Sequence, residues 1–69
     1  METERVLAFW DLYDSVTGDF LEKKRQIKHA ASPAIGMPVP DVSGKPRATV
    51  KNFWLRGRQE RLPWYDVYV

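Results

Sequence analysis

One imidazole, His29, and the absence of any thiol limit the chemistry open to this chain. Acid–base and nucleophilic catalysis need several convergent groups within hydrogen-bond reach of one another. Ser15 or Ser32 can be written into a triad with His29 and an aspartate, but neither sits in a glycine-flanked turn that would present a nucleophile. His29 follows the run Lys23-Lys24-Arg25-Gln26-Ile27-Lys28 and reads as a surface histidine, not a base. Asp11 and Asp14 could share a cation only in particular geometries, and such a pair is expected to be solvated. Without cysteine there is no thiolate for zinc, and a lone histidine excludes a multi-histidine site built from one chain. Gly18, Gly36, Gly44 and Gly57 are isolated, so no phosphate-cradling loop is present. The expectation is a non-enzymatic protein with no catalytic residue, metal, cofactor or small-molecule substrate.

Binding chemistry is better represented. Lys23, Lys24, Arg25 and Lys28 form a compact basic patch in the sequence. Further on, Arg47, Lys51, Arg56, Arg58 and Arg61 are interleaved with Phe53, Trp54, Trp64, Tyr65 and Tyr68. Aromatic side chains and arginine dominate the energetic centres of protein interfaces, whereas lysine is depleted there. Among the basic residues of 47–69 only Lys51 is a lysine, which favours a protein partner. The expected partner-binding set is Phe53, Trp54, Arg56, Arg58, Arg61, Trp64 and Tyr65, in an accessory protein, inhibitor or assembly subunit. The alternative is a binder of single-stranded DNA or RNA, in which the same rings stack on bases and the cations, with the Lys23–Lys28 patch, meet phosphates.

Size and charge bear on the same question. At 69 residues the chain is expected to form a single domain, and a core this small gives little net stability by itself. No disulfide can add to it, so aromatic packing, self-association or a partner is expected to do so. Residues 1–18 carry a net charge of −3, residues 19–46 +2 and residues 47–69 +3, so the formal +2 conceals an acidic start and a basic remainder. No signal peptide or membrane span is read, and the lack of cysteine suits a reducing compartment, so a cytoplasmic location is expected, in a cell or an infected host. In size and composition alone the chain resembles the small accessory proteins of viruses and mobile elements.

The elements that must position these residues are read as two hairpins. Val6, Phe9, Tyr13 and Val16 fall near helical spacing, but Val6–Tyr13 is also aromatic-rich and alternating. Asp14-Ser15-Val16-Thr17-Gly18-Asp19, which looks like a turn closed by a glycine of positive φ, favours strand–turn–strand. Residues 20–31 return as a strand or, alternatively, form one helix packed on a three-stranded sheet, with Asp19 as N-cap, Glu22 three residues on and Pro33 as the stop. Residues 32–46 hold four prolines and two glycines, which excludes a helix or central strand. Interleaved Ile35, Met37, Val39 and Val42 suggest an extended segment lying in a groove, on its own domain or on a partner, with a flexible loop between two halves as the alternative. Ala48–Arg56 reads as a strand ended by Gly57, Arg58–Pro63 as the turn, and Trp64–Val69 as the returning strand. That strand alternates Trp64, Asp66, Tyr68 with Tyr65, Val67, Val69. The expected fold is therefore mainly β, two antiparallel hairpins bridged by a proline-rich extended segment.

Overall fold

The computed structural model describes residues 5–69 and is mainly β, with a single four-stranded sheet. Its strands are β1 (Ala8–Tyr13), β2 (Phe20–Ile27), β3 (Asn52–Gln59) and β4 (Leu62–Tyr68). β1 pairs antiparallel with β2, and β3 with β4, as the two-hairpin reading expects. Neither helix alternative holds, because Ala8–Tyr13 is β1 and Phe20–Ile27 is β2. Pairing with β1 over Ala8↔Ile27 to Tyr13↔Phe20 outweighs the local capping signal at Asp19.

The hairpins join through a parallel contact between β1 and β4, giving the order β2-β1-β4-β3. A parallel neighbour requires a long crossover. Residues 28–51 supply it, running across one face of the sheet. The proline-rich segment therefore lies against its own domain, with Pro38 bridging Thr49 and the Val39 amide donating to the Ala48 carbonyl at 2.8 Å. Val39, Val42, Ala48 and Val50 from the crossover close over Ala8, Trp10 and Leu12 of β1, Ile27 of β2, and Val67 and Val69. Val69 is tied in on both sides: its amide donates to the Tyr13 carbonyl at 2.8 Å, and its carbonyl accepts from Ser15 N at 2.8 Å. The overall extents of 39 × 26 × 19 Å describe a thin slab, one sheet with one layer over it. Among the described residues, no such layer covers the second sheet face.

The turns are only partly as read. In the first, Asp14 Oδ1 accepts from the Val16 and Thr17 amides, and Gly18 takes φ +80°, a conformation that favours glycine. The second turn is shorter than Arg58–Pro63. Only Glu60 and Arg61 connect β3 to β4, with φ +54° and +70°, the primed geometry that matches strand twist. Gly57 does not end the strand; it lies inside β3 at a bulge between Leu55 and Gly57, and a missing side chain serves a bulge as well as a terminus.

Candidate binding surface

Strand alternation assigns each side chain to a face. Trp10, Leu12 and Val67 point to the covered face, so Phe9, Asp11 and Tyr13 of β1, and their β4 partners Trp64, Asp66 and Tyr68, point to the open one. β3 adds Trp54 and Arg56 to this face, and β2 adds Phe20 and Lys24.

Asp11 lies at the centre, 2 % exposed. Its Oδ1 accepts from the Lys24 amide at 2.8 Å and from Trp64 Nε1 at 2.9 Å, and its Oδ2 accepts from Arg56 Nη1 at 2.9 Å. Two of the three register irregularities in the sheet converge on it. On β2, three residues oppose two of β1, and Lys24 takes φ +52°, which turns its amide inward. On β3, the Leu55–Gly57 bulge places Arg56 over the sheet. Burial pushes the Asp11 carboxyl up, but the donors Trp64, Lys24 and Arg56 together hold it below its ordinary value. The reading of Asp11 and Asp14 as a solvated pair is thus corrected: Asp11 is buried and saturated with donors, while Asp14 caps its own turn.

Asp66 stands beside Asp11 in the parallel register, so two carboxylates are neighbours. Arg56 resolves the repulsion, with Nη1 lying 3.7 Å from Asp66 Oδ1, while Trp54 Nε1 donates to Asp66 Oδ2 at 3.0 Å. The hydrogen bond to Asp11 and the charge of Asp66 hold the Arg56 guanidinium above its usual range. Burial, followed by the fields of Asp66 and Asp11, pushes the Tyr13 phenol up.

Two rows of rings flank this centre. Trp54, Tyr68, Tyr13 and Phe20 form one row across all four strands, with successive centroids at 5.1, 4.9 and 5.4 Å. In the other, Lys24 Nζ lies 5.5 Å from both the Phe9 and Trp64 centroids, and the Arg56 guanidinium 4.9 Å from Trp64. Trp64 therefore already has cations over its ring.

The expected partner-binding residues divide. Trp54, Arg56 and Trp64 come together on the open face. Phe53 and Tyr65 pack half-buried on the core side, edge to face at 6.1 Å. Arg58 is exposed near the end of β3, and Arg61 is exposed in the turn. The Lys23–Lys28 run is scattered by the β2 bulge. Lys23 is exposed and Lys24 covers rings, whereas Arg25 turns to the crossover, donating to the Pro40 and Asp41 carbonyls and pairing with Glu22 at 2.7 Å. Lys28 is exposed beyond the end of β2, and His29 is exposed with its ring edge-on to Trp10 at 6.0 Å.

Sequence reasoning missed Asp11, Tyr13, Phe20, Leu55 and Asp66 as surface-forming residues. The signal for Asp11 was its place between Phe9 and Tyr13 on one side of an alternating strand. Leu55 is 58 % exposed and Trp54 47 %, both on an outer strand. Among the described residues no group of three or more His, Cys, Asp or Glu is placed to hold a metal ion, and no helix is long and apolar enough to cross a membrane. No family model, curated protein or solved structure matches this chain.

Proposed function

We propose that this chain is a small non-catalytic binding protein that recognises a protein partner along β3, as an accessory, inhibitor or assembly subunit. The observation that carries this reading is the character of that outer strand. β3 has β4 on one side only and exposes Trp54 and Leu55 at its middle. An edge strand offers unpaired backbone groups to a second chain, and protein recognition by strand addition uses those groups together with neighbouring side chains. Arg58 adds a residue type common at interface centres.

Single-stranded nucleic acid is the second reading, favoured by the row of rings that ends in exposed Trp54 and Phe20. The charges of the open face weigh against it. Asp11 and Asp66 lie at its centre, and Lys24 and Arg56 are engaged with rings and carboxylates. Phosphates would meet carboxylates there, and bases would have to displace cations from Trp64.

A photo-crosslinking phenylalanine introduced at Leu55, and separately at Lys23 on the opposite outer strand, tests the proposal in the native host extract. The expected result is one discrete protein adduct from position 55 and none from position 23. Nucleic-acid adducts, or equal labelling from both positions, would overturn it.

A further inference from the structure

The chemistry of β3 and its flanks describes the partner more narrowly. Counting from Lys51 with the bulge as one step, Lys51, Phe53, Leu55 and Arg58 share a face, the one that carries the crossover. Phe53 packs against the core, which leaves an exposed row of cation, leucine and cation at the sheet margin. No carboxylate among the described residues pairs with Lys51, Arg58 or Arg61. The Lys51 ammonium donates to Thr49 Oγ1 at 3.0 Å, a neutral acceptor. The acids of the β3–β4 hairpin do not neutralise this margin: Asp66 is held on the open face by Trp54 and Arg56, and Glu60 lies in the turn.

The outward backbone of β3 has no strand beside it. The Phe53 amide donates to the Asn52 side chain at 2.9 Å, the mark of an N–H directed away from the ladder. Period-two alternation puts Leu55 in the same outward set. An antiparallel second copy of β3 centred on Trp54 would set Lys51 of each copy opposite Arg58 of the other, and like charges across strands are unfavourable.

Building on the β3 reading, we infer that the partner contributes an acidic extended segment that adds to β3 as a fifth strand. Its carboxylates flank an apolar residue on one face, in the pattern acid-x-x-x-apolar-x-acid or its reverse. The acids meet Lys51 and Arg58, and the apolar side chain covers Leu55. Steering by the uncompensated cations makes association depend on ionic strength.

A random twelve-residue peptide library, selected on the full chain and counter-selected on Leu55→Pro, tests this. Proline removes the outward N–H while remaining tolerable in an edge strand. Leu55→Asp serves as a second counter-selection, with folding of both variants checked by circular dichroism. The expected outcome is enrichment of segments with carboxylates flanking an apolar residue. Lys51→Glu with Arg58→Glu should weaken them at least about tenfold, as expected of paired charges at an interface, and Lys23→Glu should not. Neutral or basic segments that still lose binding on Leu55→Pro would overturn the acidic inference and leave β3 as the docking edge. Enriched segments indifferent to both Leu55 variants would overturn both. A dimer in sedimentation equilibrium that Leu55→Pro abolishes would assign the edge to a second copy and overturn the acidic partner.

Discussion

The two outer strands serve one internal group in common and present opposite characters to the outside. β2 and β3 each carry a bulge, and each bulge delivers a donor to Asp11, a backbone amide from Lys24 on one side and a guanidinium from Arg56 on the other. Their exteriors then diverge. β2 is a run of charge, Glu22, Lys23, Lys24 and Arg25, with Arg25 fastened to the crossover through the Pro40 and Asp41 carbonyls. Charge and a bulge are the usual protections of a sheet edge against unwanted pairing. β3 has a bulge, but its central residues, Trp54 and Leu55, are apolar and exposed. Both edges expose apolar side chains, but on β2 the exposed ring, Phe20, stands at the start of the strand, whereas on β3 Trp54 and Leu55 stand at its middle, so the opposite edges differ in where the charge lies.

The largest expected effect comes from removing what the two edges share. Asp11→Ala strands the Trp64 indole, the Lys24 amide and the Arg56 guanidinium together, and should lower stability by about 2–4 kcal/mol in urea unfolding. Loss of less than about 0.5 kcal/mol, the scale of an ordinary surface substitution, would mean that the bulges do not depend on Asp11. Arg56→Ala removes only the β3 side. Its side chain is 45 % exposed, so solvent screens the pairing, and a clearly smaller loss than for Asp11→Ala is expected in the same unfolding experiment. Arg56 is accordingly a poor probe of binding, because its removal also unbalances Asp11 and Asp66; Arg58 is the cleaner choice.

Acid titrates the shared anchor without mutation. The Asp11 carboxyl is held below its ordinary 3.8, so its contribution is complete above that pH and is lost as the pH falls through the depressed value. Hydrogen bonds from the Thr17 and Val16 amides hold Asp14 down as well, and it contributes with the same sign. Asp11→Asn separates the two: unfolding free energies compared at about pH 5 and pH 2.5 should differ less in the variant than in the parent chain. Equal differences would place the pH dependence elsewhere.

Smaller effects distinguish the hairpins individually. Glu60 and Arg61 both occupy left-handed backbone without being glycine. Glu60→Asn with Arg61→Gly supplies the preferred residues of that turn and should stabilise the β3–β4 hairpin by about 1 kcal/mol. On the other side, Lys24→Asn keeps a residue tolerant of positive φ and the amide that bonds Asp11, but removes the ammonium from the Phe9 and Trp64 rings. A loss of about 0.5 kcal/mol is expected. Both are read by urea unfolding, and a larger effect for Lys24→Asn than for the turn exchange would reverse the ranking of the two hairpins.

Local signals carried the hairpins but not their assembly. Asp14 and Gly18 marked the first turn, and the alternation of Trp64, Asp66, Tyr68 against Tyr65, Val67, Val69 separated the open face from the covered one correctly. The parallel register of β1 on β4 has no local signature, because residues such as Asp11 and Asp66 meet only through the crossover. Gly57 misled the reading of the second turn, since glycine marks bulges and strand ends alike. Lys24, Glu60 and Arg61 carry the left-handed positions that sequence rules assign to glycine or asparagine, so tertiary pairing, not propensity, sets them. The basic run 23–28 looked like a patch because sequence proximity ignores the pleat. Lys24 and Arg25 face opposite sides of the sheet.

Amide hydrogen exchange, with and without an acidic segment bound, is the most direct test of β3 as the docking edge. Strand addition predicts that the outward amide of Leu55 gains protection on binding while the Lys23 amide on β2 is unchanged. Protection confined to β2 or to the crossover, with Leu55 exchanging as in the free protein, would contradict it.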